Sequence, residues 1–181
     1  MASSWWQQVG NTLVSEFSDL PDAEQITRLV LRLMLAALLG GLVGIERERR
    51  GKAAGVRTHM LVSMSAALFM LVAQQSGMDS ADLSRVAQGV IAGIGFLGAG
   101  TILKDSDDEK VKGLTTAAGI WLTAAIGIAA GMGREATALL STLLAVTILS
   151  LVPLAVGLFE GPEAQEKKED RDDKAPDGER P

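Results

Sequence analysis

The sequence predicts an all-α, polytopic membrane helix bundle with about five transmembrane helices, and three observations carry that prediction. First, residues 26–159 contain five stretches, 26–45, 58–73, 86–103, 114–132 and 136–159, that are almost free of charge. Each is close to the roughly 20 residues that a helix needs to cross a bilayer. Second, charge is pushed to the ends: residues 1–25 carry four acids and no base, and residues 160–181 carry nine acids and five bases. Within an overall net charge of −5, this leaves the middle at +3. Third, the bases alternate between connections, as the excess of Lys and Arg in cytoplasmic loops requires. Arg47, Arg49, Arg50, Lys52 and Arg57 follow the first span, Lys104, Lys110 and Lys112 follow the third, and five more lie in the tail. That pattern predicts an N-terminus outside and a C-terminus in the cytoplasm.

The chain then divides into an N-terminal amphipathic interfacial segment (1–25), a five-helix transmembrane domain (26–159) and a charged cytoplasmic tail (160–181). Trp5, Trp6, Val9, Leu13, Phe17 and Leu20 recur at spacings of three and four, which predicts an amphipathic helix over 5–20 lying in the membrane interface. The first span opens on Arg28 and Arg32, the latter one turn and about 6 Å deeper. A charge there must snorkel outward or find a partner. Glu46 and Arg47 close the span. The alternating ERER run reads either as a local salt-bridged turn or, with Arg57, Thr58 and His59 across a short connection, as a polar cluster that accepts an anion or a partner.

The third span holds Gly89, Gly93, Gly95, Gly98 and Gly100. Gly93 to Gly98 spells a dinucleotide fingerprint, but no strand precedes it and no second strand ends in an acid about 20 residues on. Small residues instead let membrane helices approach closely, so this span is predicted to be a close-packed central helix, locally unwound around Gly95–Gly100. Ala36, Gly40 and Gly44 in the first span and Gly127 and Gly131 in the fourth repeat the spacing. The acidic run 105–109 lacks the glycine and terminal glutamate of a calcium loop and reads as solvated charge. Gly113, Thr115, Thr116 and Trp121 begin the fourth span, the threonines either capping its first amides or placing hydroxyls beside the glycine helix. The tail from Glu160, with 14 charged residues in 22, cannot bury enough apolar surface to fold alone and is expected to be disordered.

Several function classes fall away. No cysteine removes disulfides, thiolate metal sites and thiol nucleophiles, and His59, the single histidine, has no second histidine to share a metal with. No set of nucleophile, base and orienter is present, so no enzyme and no cofactor is expected, and no basic patch beyond what topology explains points to nucleic acid. A carrier or channel for a cation or small solute remains as an alternative, weakened because no span has an acid in its interior.

Three blocks, LLGGLVGIERERRGKAAGVRTHMLV, RVAQGVIAGIGFLGAGTIL and VKGLTTAAGIW, together resemble the signature of the MgtC/SapB family of bacterial inner-membrane proteins over about residues 28–133. The resemblance implies a non-enzymatic multi-pass protein linked to magnesium homeostasis and stress adaptation, and to virulence in pathogens. It would act by binding other membrane proteins, such as a magnesium transporter or the ATP synthase, or a second copy of itself. Carried over by motif, it marks Arg32, Glu46, Arg47, Arg57, Thr58, His59, Gly93, Gly95, Gly98, Gly100, Gly113, Thr115, Thr116 and Trp121. MgtC-type members carry a folded C-terminal cytoplasmic domain where this chain has a short charged tail, which points to the SapB-like subgroup.

Overall fold

Long apolar runs leave the backbone one way to satisfy its amides away from water, the α-helix. The computed structural model describes residues 4–16, 22–104 and 111–159. They form α1 (Trp5–Glu16), α2 (Ala23–Arg49), α3 (Val56–Gln75), α4 (Ser80–Ala99), α5 (Leu114–Gly131) and α6 (Glu135–Phe159). A two-residue hairpin stem, β1 (Leu103–Lys104) on β2 (Val111–Lys112), joins α4 to α5. The acidic run 105–109 and the tail 160–181 lie outside the described residues.

Local signals set the helix ends. The Asp22 carboxylate accepts from the Gln25 amide at 2.7 Å and starts α2, and Asp79 does the same for α4 through Ala81 and Asp82. At the other end of α2, Gly51 takes a left-handed conformation (φ 61°) and the Lys52 amide reaches back to Arg47 O at 3.0 Å, the arrangement that satisfies the last free carbonyls. α2 therefore runs to Arg49, a full turn beyond the predicted 26–45, and carries Glu46 and Arg47 inside the bundle instead of in a turn. α1 occupies the amphipathic segment but buries none of its residues, and its Trp5 and Trp6 rings meet edge to face at 4.3 Å.

Four segments, Ala23–Arg49, Val56–Gln75, Leu114–Gly131 and Glu135–Val156, are each long and apolar enough to cross a membrane, and the chain is a multi-pass membrane protein. α4 has 20 residues, but Asp82 and Arg85 in its first turns dilute its apolar content. Its path is nevertheless that of a fifth pass along the bundle. α2 and α3 are antiparallel: Arg32 near the start of α2 bonds Gln74 near the end of α3, and Gly44 near the end of α2 lies on Val56 at the start of α3. α3 and α5 are parallel, since His59 pairs with Thr123 and, eight residues further along each helix, Ala67 lies on Gly131. α4 must then return from the Arg32 end to the Arg47 end, where Gly98 rests 3.5 Å from Ala117. α6 runs back again, from Glu135 beside Arg32 to Ser150 beside Arg50.

Packing is tightest around α3, and it is made by small residues. A Cβ added at Gly40 would overlap His59 O and come within 2.8 Å of Ser63 Cβ, and one at Gly127 would overlap Ser63 O. At Gly131 it would lie 2.5 Å from Ala67 O. Ala36, Ala66, Ala67, Ala124 and Ala130 fill the same seams and are almost wholly buried. In a membrane, where lipid is as apolar as leucine, such close backbone approach supplies the dispersion contacts that hold helices together.

The glycine helix is not that centre. A Cβ at Gly89, Gly93 or Gly95 would meet nothing within 4 Å, and Gly98 is the one buried residue of α4. Nor is α4 unwound there: it continues through Gly95 and Gly98 to Ala99, with Gly100 as its C-cap. α4 lies at the edge of the bundle: Gly98 packs on α5, while Gly89, Gly93 and Gly95 are exposed.

Candidate functional site

Two polar groups sit at opposite ends of the bundle. At one end, Arg32 finds partners instead of snorkelling. Its Nη1 donates to Gln74 Oε1 and to the Gly131 carbonyl, both at 3.2 Å, and its Nε lies 3.6 Å from Glu135 Oε1. One guanidinium thus ties α2 to the end of α3, the last turn of α5 and the first of α6. A cation at the C-terminal carbonyls of α5 also suits the partial negative charge there. None of these partners belongs to α4.

At the other end lies a buried cluster from α2, α3 and α5: Glu46, Arg47, His59, Ser63, Thr116 and Thr123, none more than 8% exposed. It forms because α2 continues past its apolar run while α3 begins with RTH, so the two charged ends face each other across Gly44. Glu46 Oε1 lies 2.5 Å from Arg50 Nε and its Oε2 3.8 Å from Arg47 Nη1. Arg47 Nη2 reaches Thr116 Oγ1 at 3.5 Å. Glu48, by contrast, turns to α3 and accepts from the Val56 amide at 2.8 Å, capping that helix where its positive end favours a carboxylate.

The His59 tautomer follows from its neighbour. The Thr123 hydroxyl donates its single proton to Gly119 O at 2.8 Å, so at the 2.8 Å contact with His59 it accepts, and Nδ1 carries the hydrogen. His59 Nε2, the other ring nitrogen, is buried in the interior. Among the described residues it has no hydrogen-bond partner, and neither do Arg47 Nε and Ser63 Oγ. Each such group costs roughly 1–3 kcal/mol when left unpaired. Donor, acceptor and hydroxyl together can bind water or a small polar ligand, while the described residues hold no grouping of three metal-type ligands.

The marked residues therefore scatter. Glu46, Arg47, His59 and Thr116 converge in the cluster, and Thr58 is half-buried beside it, whereas Arg57 and Thr115 are exposed and Trp121 is 48% exposed on the outer face of α5. Gly93, Gly95 and Gly100 lie on the exposed α4. Gly113 holds φ 95° at the start of α5, where a Cβ would overlap Thr101 O, so it is a structural hinge of the connection. Sequence reasoning missed Ser63 and Thr123. The signal was present: Ser63 is four residues after His59 and shares its helical face. It also placed no acid inside a span, which buried Glu46 overturns.

This arrangement has relatives. The MgtC family pattern matches residues 33–156, which runs from within α2 through most of α6. YhiD of Escherichia coli K12, provisionally described as a magnesium transporter, is 42% identical over 129 residues, covering 67% of this chain and 59% of YhiD. SrpB of Synechococcus elongatus is 47% identical over 133 residues, covering 67% of this chain and 73% of SrpB. MgtC of Salmonella typhimurium is 43% identical over 115 residues, covering 64% of this chain, and the chain spans about half (48%) of that protein's length. No solved structure matches significantly. With most of its bundle inside the family pattern, the chain belongs to the MgtC family.

Proposed function

We propose that this protein is a non-enzymatic inner-membrane component of magnesium homeostasis and stress adaptation that works by holding a helix of another membrane protein against α4. The observation that supports this is the open glycine face. Gly89 and Gly93 stand four apart beside a groove of about 590 Å³ between α3 and α4, walled by Phe69, Val90 and Leu97. Glycine in mid-helix costs roughly 0.5–1 kcal/mol relative to alanine. Paired with an incoming backbone, the same glycines become the contact. Magnesium enters through the relatives, and a magnesium transporter or the ATP synthase are the partners that the family resemblance offers.

The test is Gly93→Leu. Because nothing lies within 4 Å of the new Cβ, the variant is expected to keep its wild-type melting temperature in detergent and lose both complementation under magnesium limitation and co-purification of its membrane partner. Full complementation by a stably folded variant would overturn the docking role.

A carrier reading keeps one observation in its favour, the buried Glu46–Arg47–His59 cluster with its unpartnered atoms. Magnesium uptake into liposomes containing the pure protein separates the two, since a docking protein gives none.

The same reading sets the bundle with its basic Arg47 end toward the cytoplasm. Reporter fusions within Gln74–Ser84 are expected to report the outside and fusions after Ala164 the cytoplasm. The opposite pattern would invert the bundle.

A further inference from the structure

The crevice between α2 and α6 combines an apolar wall with a basic mouth. Leu42 and Ile45 of α2 face Leu139, Leu143 and Val146 of α6 across a groove of about 660 Å³. It runs from Leu139 to Ser150, a helical rise of about 16 Å, close to the depth of one leaflet of a hydrocarbon layer about 30 Å thick. At its mouth stand Arg49 and Arg50, and a second hollow of about 430 Å³ on the far side of Arg50 adds Arg47 and Lys52.

Among the described residues the charges at this mouth do not cancel. Glu46 is taken by Arg50 and Arg47, and Glu48 by the start of α3. Arg50 also donates to the Ser150 carbonyl at 2.9 Å, just ahead of the helix-interior Pro153, and so is held in place across the mouth. Arg49 and Lys52 have no carboxylate partner among the described residues. An apolar channel one leaflet long, open along its side and topped by cations that no carboxylate of the described residues pairs, has the charge and shape of one molecule.

We propose that the α2–α6 crevice binds an anionic phospholipid, with its headgroup between Arg49 and Lys52 and an acyl chain along Leu139, Leu143 and Val146. The apolar wall requires the chain, and the unpaired cations select the anionic head over a zwitterionic one. A cation beside an anionic lipid surface contributes about 1 kcal/mol, a factor of about five in retention.

Native mass spectrometry of the full chain, exchanged from detergent with phosphatidylglycerol or with phosphatidylcholine of the same chains, tests the assignment. Wild type is expected to retain one phosphatidylglycerol in preference to phosphatidylcholine. Arg49→Gln with Lys52→Gln is expected to weaken that retention about 25-fold. Leu143→Trp or Leu139→Trp, each filling the groove at an exposed position without changing charge, is expected to abolish it. Arg57→Gln, at the same end but outside the crevice, is expected to leave it unchanged. Melting temperatures in phosphatidylcholine nanodiscs establish that each variant is folded. Equal retention of both lipids, or equal loss in Arg57→Gln, would overturn the proposal. So would glycerol 3-phosphate stabilising the protein as much as the lipid does, since the occupant would then be a soluble anion.

Discussion

Gly127→Ala is expected to destabilise the bundle by about 2–3 kcal/mol, near the upper end of what overpacking costs, and Gly127→Leu to prevent assembly. The reason is the absence of room: the new Cβ overlaps the Ser63 carbonyl, and Ser63 Cα lies only 2.9 Å away. Those atoms belong to the backbone of α3, which cannot rotate aside as a long side chain would. α3 and α5 would have to separate along a seam that also contains Gly131 on Ala67 and His59 on Thr123. Gly89→Ala changes the same atoms in open space, so its expected effect has the opposite sign, a gain of about 0.5–1 kcal/mol from helix preference alone. Thermal unfolding of both variants in one detergent makes the comparison. Equal losses would mean that α4 packs as tightly as α5.

The second large effect belongs to Glu46. Replacing it with Gln leaves Arg47, 2% exposed, with no carboxylate partner among the described residues, and removing one member of a buried pair costs about 3–5 kcal/mol. Adding Arg47→Met is expected to recover most of that loss, because a pair exchanged for apolar or neutral groups of similar size is often close to neutral. The diagnostic quantity is the coupling between the two changes, read from unfolding of both single variants and the double. Strictly additive losses would show that Glu46 and Arg47 act independently, with Arg50 carrying the whole of the Glu46 charge.

Much of the helical layout was legible because membrane-length apolar runs admit so few structures. The end of α2 was not, since a reading by hydropathy stops at the first charge, whereas the bundle buries Glu46 and Arg47 by giving each a partner on the same or a neighbouring helix. The glycines mark a deeper limit. Gly89 and Gly93 have the same spacing as Gly40 and Gly44 or Gly127 and Gly131, yet only the last two pairs touch backbone within the chain. Spacing announces a face that can be approached and is silent about what approaches it. For His59, its type and neighbours suggested a polar cluster, but the decisive partners came from α5, over 60 residues away, at a distance no local pattern encodes.

The parallel course of α3 and α5 has a consequence of parity. Two neighbouring helices that run the same way need an odd number of passes between them, and α4 is that single pass. Without it α5 would enter from the opposite end, Thr123 would sit at the wrong level for His59, and every later element would exchange sides of the membrane. α4 is thus indispensable as a count, whatever it touches. A helix that the later elements need first for its direction leaves its outer face free to vary, and the face it presents sets Gly89, Gly93 and Gly95 among Ile91, Phe96 and Leu97.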